Sequence, residues 1–529
     1  MRADHENAYV EPVLPEGPLL VDQLRFMAAV HPEELAYRDL DAGASITFTE
    51  WEEASNRLAR WLTDHRVGRG DRVSIYLSSS NPLRWIVTYA AVHKAGAVAV
   101  PTNTRLSERE VTAILGHAEV AAMVADAPTL ANALTVRSSV PSLTTVLDAS
   151  ISPPSLTGID GVHQWSEIHA YDGREFQIDV DENELADIMY TSGTTGLPKG
   201  VAVRHRDAAM MPNTAPVWTG DGWLHGAPMF TFAGIAFVYS PMKLGLTGVY
   251  QPTFDAGRWL EIVEAERPSM IFLVPAMAEL IVAHPRFLTA DLSSPFIVSI
   301  GSSPLAPATL ELLRDRMPQA AVSNSYGLTE AGPAYIVMPK DEGARRLGSI
   351  GKAMPPMETR IVAPESGEEA PANEIGELQT RLPGKQREYY LNAEATSNAW
   401  TDDGWLRTGD LAYCDDEGFI YVVGRLKDVI IRGGNNVYAT DVESVIIEHH
   451  FVQECAVVGV PHEILGEDVG AWIVVKAGRS LSEAELLAFC ADRLADYKRP
   501  RIVRFVDALP RNATGKVMKH LLRERLAAT

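Results

Sequence analysis

Apolar residues recur along the first 180 positions with two different periods. At 51–61 they fall on one face at helical spacing, while 72–76 and 97–100 are short β-branched runs. Alternation of this kind predicts βα units and mostly parallel sheets. The rhythm resumes at 269–273 (SMIFL), 296–300 (FIVSI) and 321–323, each run followed by a loop rich in Gly, Ser or Pro. Such folds place their ligands in loops at the C-terminal ends of parallel strands. After about residue 360 the texture changes. RIVAP, GELQT and GFIYVVG read as short antiparallel strands, which predicts a distorted β-barrel closing the large domain. The last hundred or so residues carry a further α+β pattern: a helix from Asp441, strands at 454–460 and 471–475, and a helix from Ser482. The expected fold class is α/β, with parallel βα sheets plus the barrel in a large N-terminal domain and a small α+β C-terminal domain. No internal repeat or low-complexity tract is evident.

Composition narrows the function. With 529 residues, 46% of them hydrophobic, the chain is too long for one compact core. A formal net charge of −22, from 69 acidic and 47 basic residues, argues against a nucleic-acid binder. A polyanionic ligand would need a local basic patch. The three cysteines, Cys414, Cys455 and Cys490, form no CxxC pair, so neither a disulfide framework nor a thiolate zinc site is expected, and a reducing cytoplasm fits. The first residues mix charges and prolines and do not read as a signal peptide. The most apolar stretch, 85–100, carries His93 and Lys94 and is not expected to span a membrane.

The densest chemistry lies at 190–200, YTSGTTGLPKG, after an expected strand at 186–189. Thr191, Ser192, Thr194 and Thr195, with Gly193 and Gly196, leave N–H and O–H donors free to wrap oxyanions, and Lys199 adds positive charge. A Walker phosphate loop is excluded, because Pro198 and Gly200 stand where it needs Gly and Ser or Thr. The eleven residues resemble the phosphate-binding signature of the adenylate-forming superfamily, which includes acyl-CoA synthetases, nonribosomal adenylation domains and luciferases.

Further segments resemble that superfamily in the expected order. In NSYGLTE at 324–330 the resemblance implies that Tyr326 packs on adenine, Thr329 contacts the α-phosphate and Glu330 binds Mg2+. Gly301, Ser302, Ser303 and Pro304 stand where relatives have a Gly-Gly-Ala-Pro-like turn lining the adenine and acid pockets. Asp410, in TGD, matches the carboxylate that takes both ribose hydroxyls. GRLKD at 424–428 resembles the hinge, with Arg425 near the nucleotide and Lys427 as the pivot of a mobile C-terminal domain. The implied domains are 1–424, a hinge at 425–428, and 429–529. Gly433 and Gly434 lie in a segment similar to the loop lining the pantetheine tunnel, and Lys516 in PRNATGK matches the catalytic lysine. Tyr497, Arg499 and Arg501 form a local basic patch like that of ligases binding the coenzyme A nucleotide. A solvated helix end, where the dipole favours basic residues, is the alternative, and it ranks behind the coenzyme A reading because similar ligases carry this pattern in the same place.

The resemblance implies an AMP-forming acid–thiol ligase that uses ATP, Mg2+ and coenzyme A. The chain departs from the pattern at Thr231, where a His near the acid pocket is common, and at Asp207, where many relatives have Asn. Phe230, Phe232 and Met229 around Thr231 favour a hydrophobic acid. Three alternatives stand beside this reading. They are an acyl-AMP ligase or an enzyme effective in one half-reaction, a nucleotide-binding protein without turnover, and luciferase-like oxygenation. The partners expected are a small carboxylic acid, ATP and CoA, with no nucleic acid and no membrane span, in a monomer or homodimer.

Overall fold

A computed structural model describes residues 19–152, 159–191, 198–208, 219–302, 305, 307–332, 336–339, 342–343, 345–511 and 517–527. The chain divides into two compact units, Met1–Phe272 with Arg387–Leu391, and Leu273–Gln386 with Asn392–Thr529. This division does not follow the expected 424/425 boundary, since the segments flanking it fall in one unit.

In the first unit the βα expectation holds. The strand Arg72–Tyr76 lies between the parallel neighbours Val98–Pro101 and Val120–Ala125. Residues 73–76 are buried on both faces, which accounts for Val73, Ile75 and Tyr76, and the buried Ser74 hydroxyl is paired with Thr102 at 2.7 Å. These strands belong, among the described residues, to an eight-stranded sheet running from Glu388–Tyr389 at one edge to Val162–Gln164 at the other. The helix Phe48–Asp64 shows how sequence sets an element here. Thr47 Oγ1 accepts from Glu50 N while the Glu50 carboxylate accepts from Thr47 N, closing a capping box. Phe48, Trp51, Ser55, Leu58 and Leu62 then recur at helical spacing and are buried. A second sheet in this unit sets Met270–Leu273, Gly222–His225, Thr247–Tyr250, Leu35–Asp39 and Ala44–Thr47 side by side.

In the second unit, Ile297–Ile300 and Ala321–Asn324 pair in parallel. The antiparallel texture after residue 360 is a sheet of Glu358–Val362, Gly376–Arg381, Leu406–Cys414 and Ile420–Arg425. The bridge between Gly351 and Ile420 extends it. These antiparallel strands lie where the sequence predicted the distorted barrel. From Ile430 onward the chain has its own core, with Val437, Val442, Ile446, Val457, Val469, Ile473, Leu486 and Val503 packed together. The long strands Val452–His462 and Gly466–Val475 run antiparallel through it, and Ser482 caps the helix Glu483–Ala491. No helix among the described residues is long and apolar enough to cross a membrane.

Candidate active site

Strand Leu185–Thr191 turns back on Lys199–Arg204 in antiparallel register, with Thr191 opposite Lys199 and Tyr190 opposite Gly200. The segment rich in Gly and Thr therefore joins two antiparallel strands of the large sheet. Thr191 Oγ1 donates to the Lys199 carbonyl at 3.4 Å, and Lys199 Nζ stands 5.2 Å from the centre of the Tyr389 ring. Gly200 leaves no room for a side chain, since a Cβ there would meet Ile188 Cγ2 at 2.8 Å. Ser192, Gly193, Thr194, Thr195 and Gly196 lie outside the described residues, as do Ser303, Pro304 and the catalytic candidate Lys516.

Thr231 is the N-cap of the helix Phe232–Leu244. Its hydroxyl accepts from Gly234 N at 3.0 Å and donates to the Pro228 carbonyl at 2.7 Å, so both functions of the oxygen are engaged locally. Gly234 is required there, because a Cβ would come within 2.0 Å of the Pro228 carbonyl oxygen. Phe230 and Phe232 flank the cap, half-buried.

Beneath this surface runs a buried polar network that the sequence reading did not identify. Asp187 accepts from Tyr89 Oη at 3.1 Å and contacts His93 Nε2 at 3.0 Å. The His93 and His205 rings meet edge to face, and burial, with the neighbouring His93, pushes the His205 imidazole down to about 3. The Arg387 guanidinium, delivered by the edge strand's own segment, donates to the Asp207 carbonyl at 2.5 Å and lies over the Phe232 ring. Asp207 is buried and pairs with Arg206 Nε at 3.6 Å. The ion pair with Arg206 is made by its carboxylate, while the Arg387 bond is to its backbone carbonyl. The unexplained acid after a His-Arg pair was the available signal, and its distant cation had none.

In the second unit the geometry centres on Asp410. Its carboxylate is buried and accepts from Tyr326 Oη at 2.6 Å through one oxygen, while Arg425 Nε stands 2.6 Å from the other. The Asp410 backbone N–H donates to Thr408 Oγ1 at 3.0 Å, and the Gly409 N–H donates to Glu377 Oε1 at 3.0 Å. Burial and the adjacent Asp410 charge hold the Tyr326 phenol well above its ordinary range, so it stays a donor. An ionised carboxylate has about four lone-pair sites. Two are taken by Tyr326 and Arg425, and the remainder can receive a pair of hydroxyls.

Gly301 donates its N–H to the Leu273 carbonyl at 3.0 Å. Ser302 follows with φ +81°, a conformation that glycine adopts without a Cβ penalty and serine does not. Thr329 and Glu330 lie in the turn that follows the strand Ala321–Asn324, and both have partners within the chain. Lys427 is exposed on the short turn Leu426–Asp428, where Asp428 pairs with Arg523 at 3.1 Å.

The basic patch has intramolecular partners. Arg499 donates to the Leu494 and Ala491 carbonyls, both at 2.9 Å, satisfying the end of helix Glu483–Ala491. Arg501 pairs with Asp496 at 2.8 Å, and Tyr497 packs against the C-terminal core. Gly433 and Gly434, with φ +56° and +82°, make the two-residue turn between Val429–Arg432 and Asn435–Tyr438. Their first requirement is the turn itself.

The AMP-binding enzyme family model matches residues 24–390, and the AMP-binding enzyme C-terminal domain model matches 441–516. The chain belongs to the AMP-binding enzyme family. Within the family it is 34% identical over 515 residues to the long-chain-fatty-acid–CoA ligase FadD13 of Mycobacterium tuberculosis, covering 96% of this chain and 98% of that one. It is also 34% identical over 504 residues to the feruloyl-CoA synthase of an Amycolatopsis species, covering 94% and 97%. Among solved structures it is similar to ATP-bound MatB from Rhodopseudomonas palustris, with a TM-score of 0.83 at 29% identity over 95% of this chain and 98% of that one.

Proposed function

We propose that this protein is an ATP-dependent carboxylic acid:CoA ligase that forms an acyl-AMP and then a thioester. The observation that carries the reading is the Asp410 node, a buried carboxylate fixed by Tyr326 and Arg425 with acceptor capacity to spare. It stands in a chain belonging to a family whose members close in sequence include named CoA ligases. Relatives named for a long-chain fatty acid and for ferulate, together with Phe230 and Phe232 beside the Thr231 cap, support a hydrophobic acid.

A carboxylate acylates poorly because its oxygen leaves badly and its charge repels nucleophiles. In the first step a carboxylate oxygen attacks the α-phosphorus of ATP and the bond to pyrophosphate breaks. In this reading Lys516 bridges the carboxylate and the α-phosphate, assisted by Thr329, and the 191–199 hairpin with Lys199 holds the polyphosphate. Asp410 takes the ribose hydroxyls, and the Tyr326 ring faces the adenine. Thr329 and Glu330 offer only oxygen donors, a set that fits Mg2+, which neutralises phosphate charge when bound. In the second step the CoA sulfur, with a free pKa of about 8.5, attacks the acyl carbon and the bond to AMP breaks. Residues 429–529 are proposed to pivot at 425–428 between steps, replacing the Lys516 loop with the Gly433–Gly434 turn. Coenzyme A phosphates would then compete with Asp496 for Arg501. A cytoplasmic setting suits these substrates.

The test records pyrophosphate release and acyl-CoA formation separately over a panel of aliphatic, aromatic and polycyclic acids, for wild type and Lys516→Ala. The expected result is both products from at least one hydrophobic acid, with pyrophosphate release lost in the variant. Thioester formation from supplied acyl-adenylate, with no pyrophosphate from any acid, would overturn the adenylation step.

A further inference from the structure

The face of the first unit at the far edge of the eight-stranded sheet carries a side-chain cluster that the ligase chemistry does not use. His65 ends the helix Phe48–Asp64, His163 lies on the edge strand Val162–Gln164, and Glu167 is in the short helix Trp165–Ala170 that follows. One ligand atom from each, two imidazole nitrogens and a carboxylate oxygen, lie within 4.8 Å of one another. We infer that His65, His163 and Glu167 bind a single divalent transition-metal ion of the zinc type.

The hydrogen bonds prepare His65 and Glu167 for this role. His65 Nδ1 is 2.7 Å from the Trp61 carbonyl, which can only accept, so the proton is on Nδ1 and the Nε2 lone pair is free. His163 Nδ1 is 3.1 Å from Glu167 Oε2, close to the separation of two ligands on one ion, so a metal ion would replace the proton these two atoms share. Ligating histidines characteristically donate their other ring nitrogen to a backbone carbonyl or a carboxylate, an arrangement that orients the ring and raises its basicity. Glu167 is itself oriented, since its Oε1 accepts from Gln164 N at 2.9 Å. The two imidazoles stand edge to face with centroids 4.4 Å apart, and the His65 ring is stacked at 4.0 Å on Trp61, which limits its rotation.

Zinc–nitrogen and zinc–oxygen bonds of about 2.0–2.2 Å place ligand atoms roughly 3.3 Å apart in a tetrahedral sphere. His163 Nδ1 and Glu167 Oε2 already stand at this spacing, and the ligand atoms all lie within 4.8 Å of one another. The His163 and Glu167 side chains are 25% and 43% exposed, so an ion has an entry path and water can complete the sphere. Imidazole and carboxylate ligands in this number suit zinc and its neighbours rather than magnesium or calcium, which take oxygen. Binding would tie the C-terminal end of one helix to the edge strand of the sheet.

The test titrates the full chain, stripped with EDTA and free of nucleotide, with ZnCl2 by isothermal calorimetry. The comparison is with His65→Gln, His163→Gln, Glu167→Gln and the triple variant, each checked for its circular dichroism spectrum. The expected result is one zinc ion per chain at micromolar concentration, weakened at least tenfold in each single variant and lost in the triple variant. Co2+ added to wild type should give the visible bands of a tetrahedral nitrogen and oxygen site, absent from the triple variant. If His65→Gln disturbs folding through its stack on Trp61, Glu167→Gln, on an exposed side chain, carries the comparison. Equal zinc binding by wild type and the triple variant, or saturation only at millimolar zinc, overturns the proposal.

Discussion

Replacing Tyr326 with Phe isolates one bond in the nucleotide-side geometry. The ring that is proposed to meet adenine stays, and only the hydroxyl 2.6 Å from the Asp410 carboxylate is removed. A hydrogen bond to a charged group contributes about 1.5–3 kcal/mol, and leaving a buried acceptor short of a donor costs a similar amount. Asp410 keeps Arg425 at 2.6 Å, which places the expected loss near 2 kcal/mol, about a thirtyfold change in the folding equilibrium of the unit concerned. Urea unfolding at pH 7 measures it as a lowered midpoint with an unchanged slope. Because the freed carboxylate can rotate away from the ribose, KM for ATP in pyrophosphate release should rise more than kcat falls. Asp410→Asn, which strips the charge facing Arg425, should be worse on both counts. Should Tyr326→Phe lose less than about 0.5 kcal/mol and keep its KM for ATP, the hydroxyl does not orient Asp410 and the argument for a prebuilt ribose acceptor fails.

Two further outcomes follow from individual contacts. Thr231→Val should lose about 1 kcal/mol by removing the cap on Phe232–Leu244, while Thr231→Ser should not; equal thermal midpoints for the two would show that the hydroxyl does not hold the helix. Lys94 Nζ is wholly buried against Glu52 at 2.6 Å, Ser55 at 2.8 Å and Asn56 at 2.7 Å, and burial lowers its pKa from 10.5 to about 8. Between these values the unfolded lysine holds a proton that the folded one has released, so its contribution to stability rises with pH through the window and is least favourable below pH 8. The stability of wild type relative to Lys94→Met should therefore increase by about 3 kcal/mol from pH 8 to 10.5 in urea titrations; a flat difference would refute the assignment.

What could be read in advance was whatever repeats locally. The strand at 72–76 lies where its β-branched run indicated, and Ser482 begins its helix because the capping residues are adjacent in sequence. The hydrophobic run at 321–323 extends one residue further, to Asn324. The pairing of Tyr326 with Asp410 spans 84 residues, and no periodicity announces such a contact. Thr231 drew attention because it stands where the family pattern has a His near the acid pocket, and its capping role, with the oxygen serving backbone groups three positions away on either side, carries no such signal. Arg499 and Arg501 drew attention as a local basic patch in an acidic chain, and both have partners within eight residues, which composition does not reveal. Arg387 was missed altogether, since a two-residue strand has no period to detect.

That two-residue strand constrains how the molecule is made. Glu388–Tyr389 pairs with Val201 and Ala202 in the outermost long strand, and its neighbour Arg387 supplies the charge beside Asp207. During synthesis, the partner strand therefore waits for nearly two hundred further residues, about 10–40 s at 5–20 residues per second. Until then the nascent sheet presents bare N–H and C=O groups along Lys199–Arg204, the kind of edge that recruits other chains. A ribosome-bound fragment ending before residue 387 should be the most aggregation-prone intermediate, and its window of risk is set by translation speed.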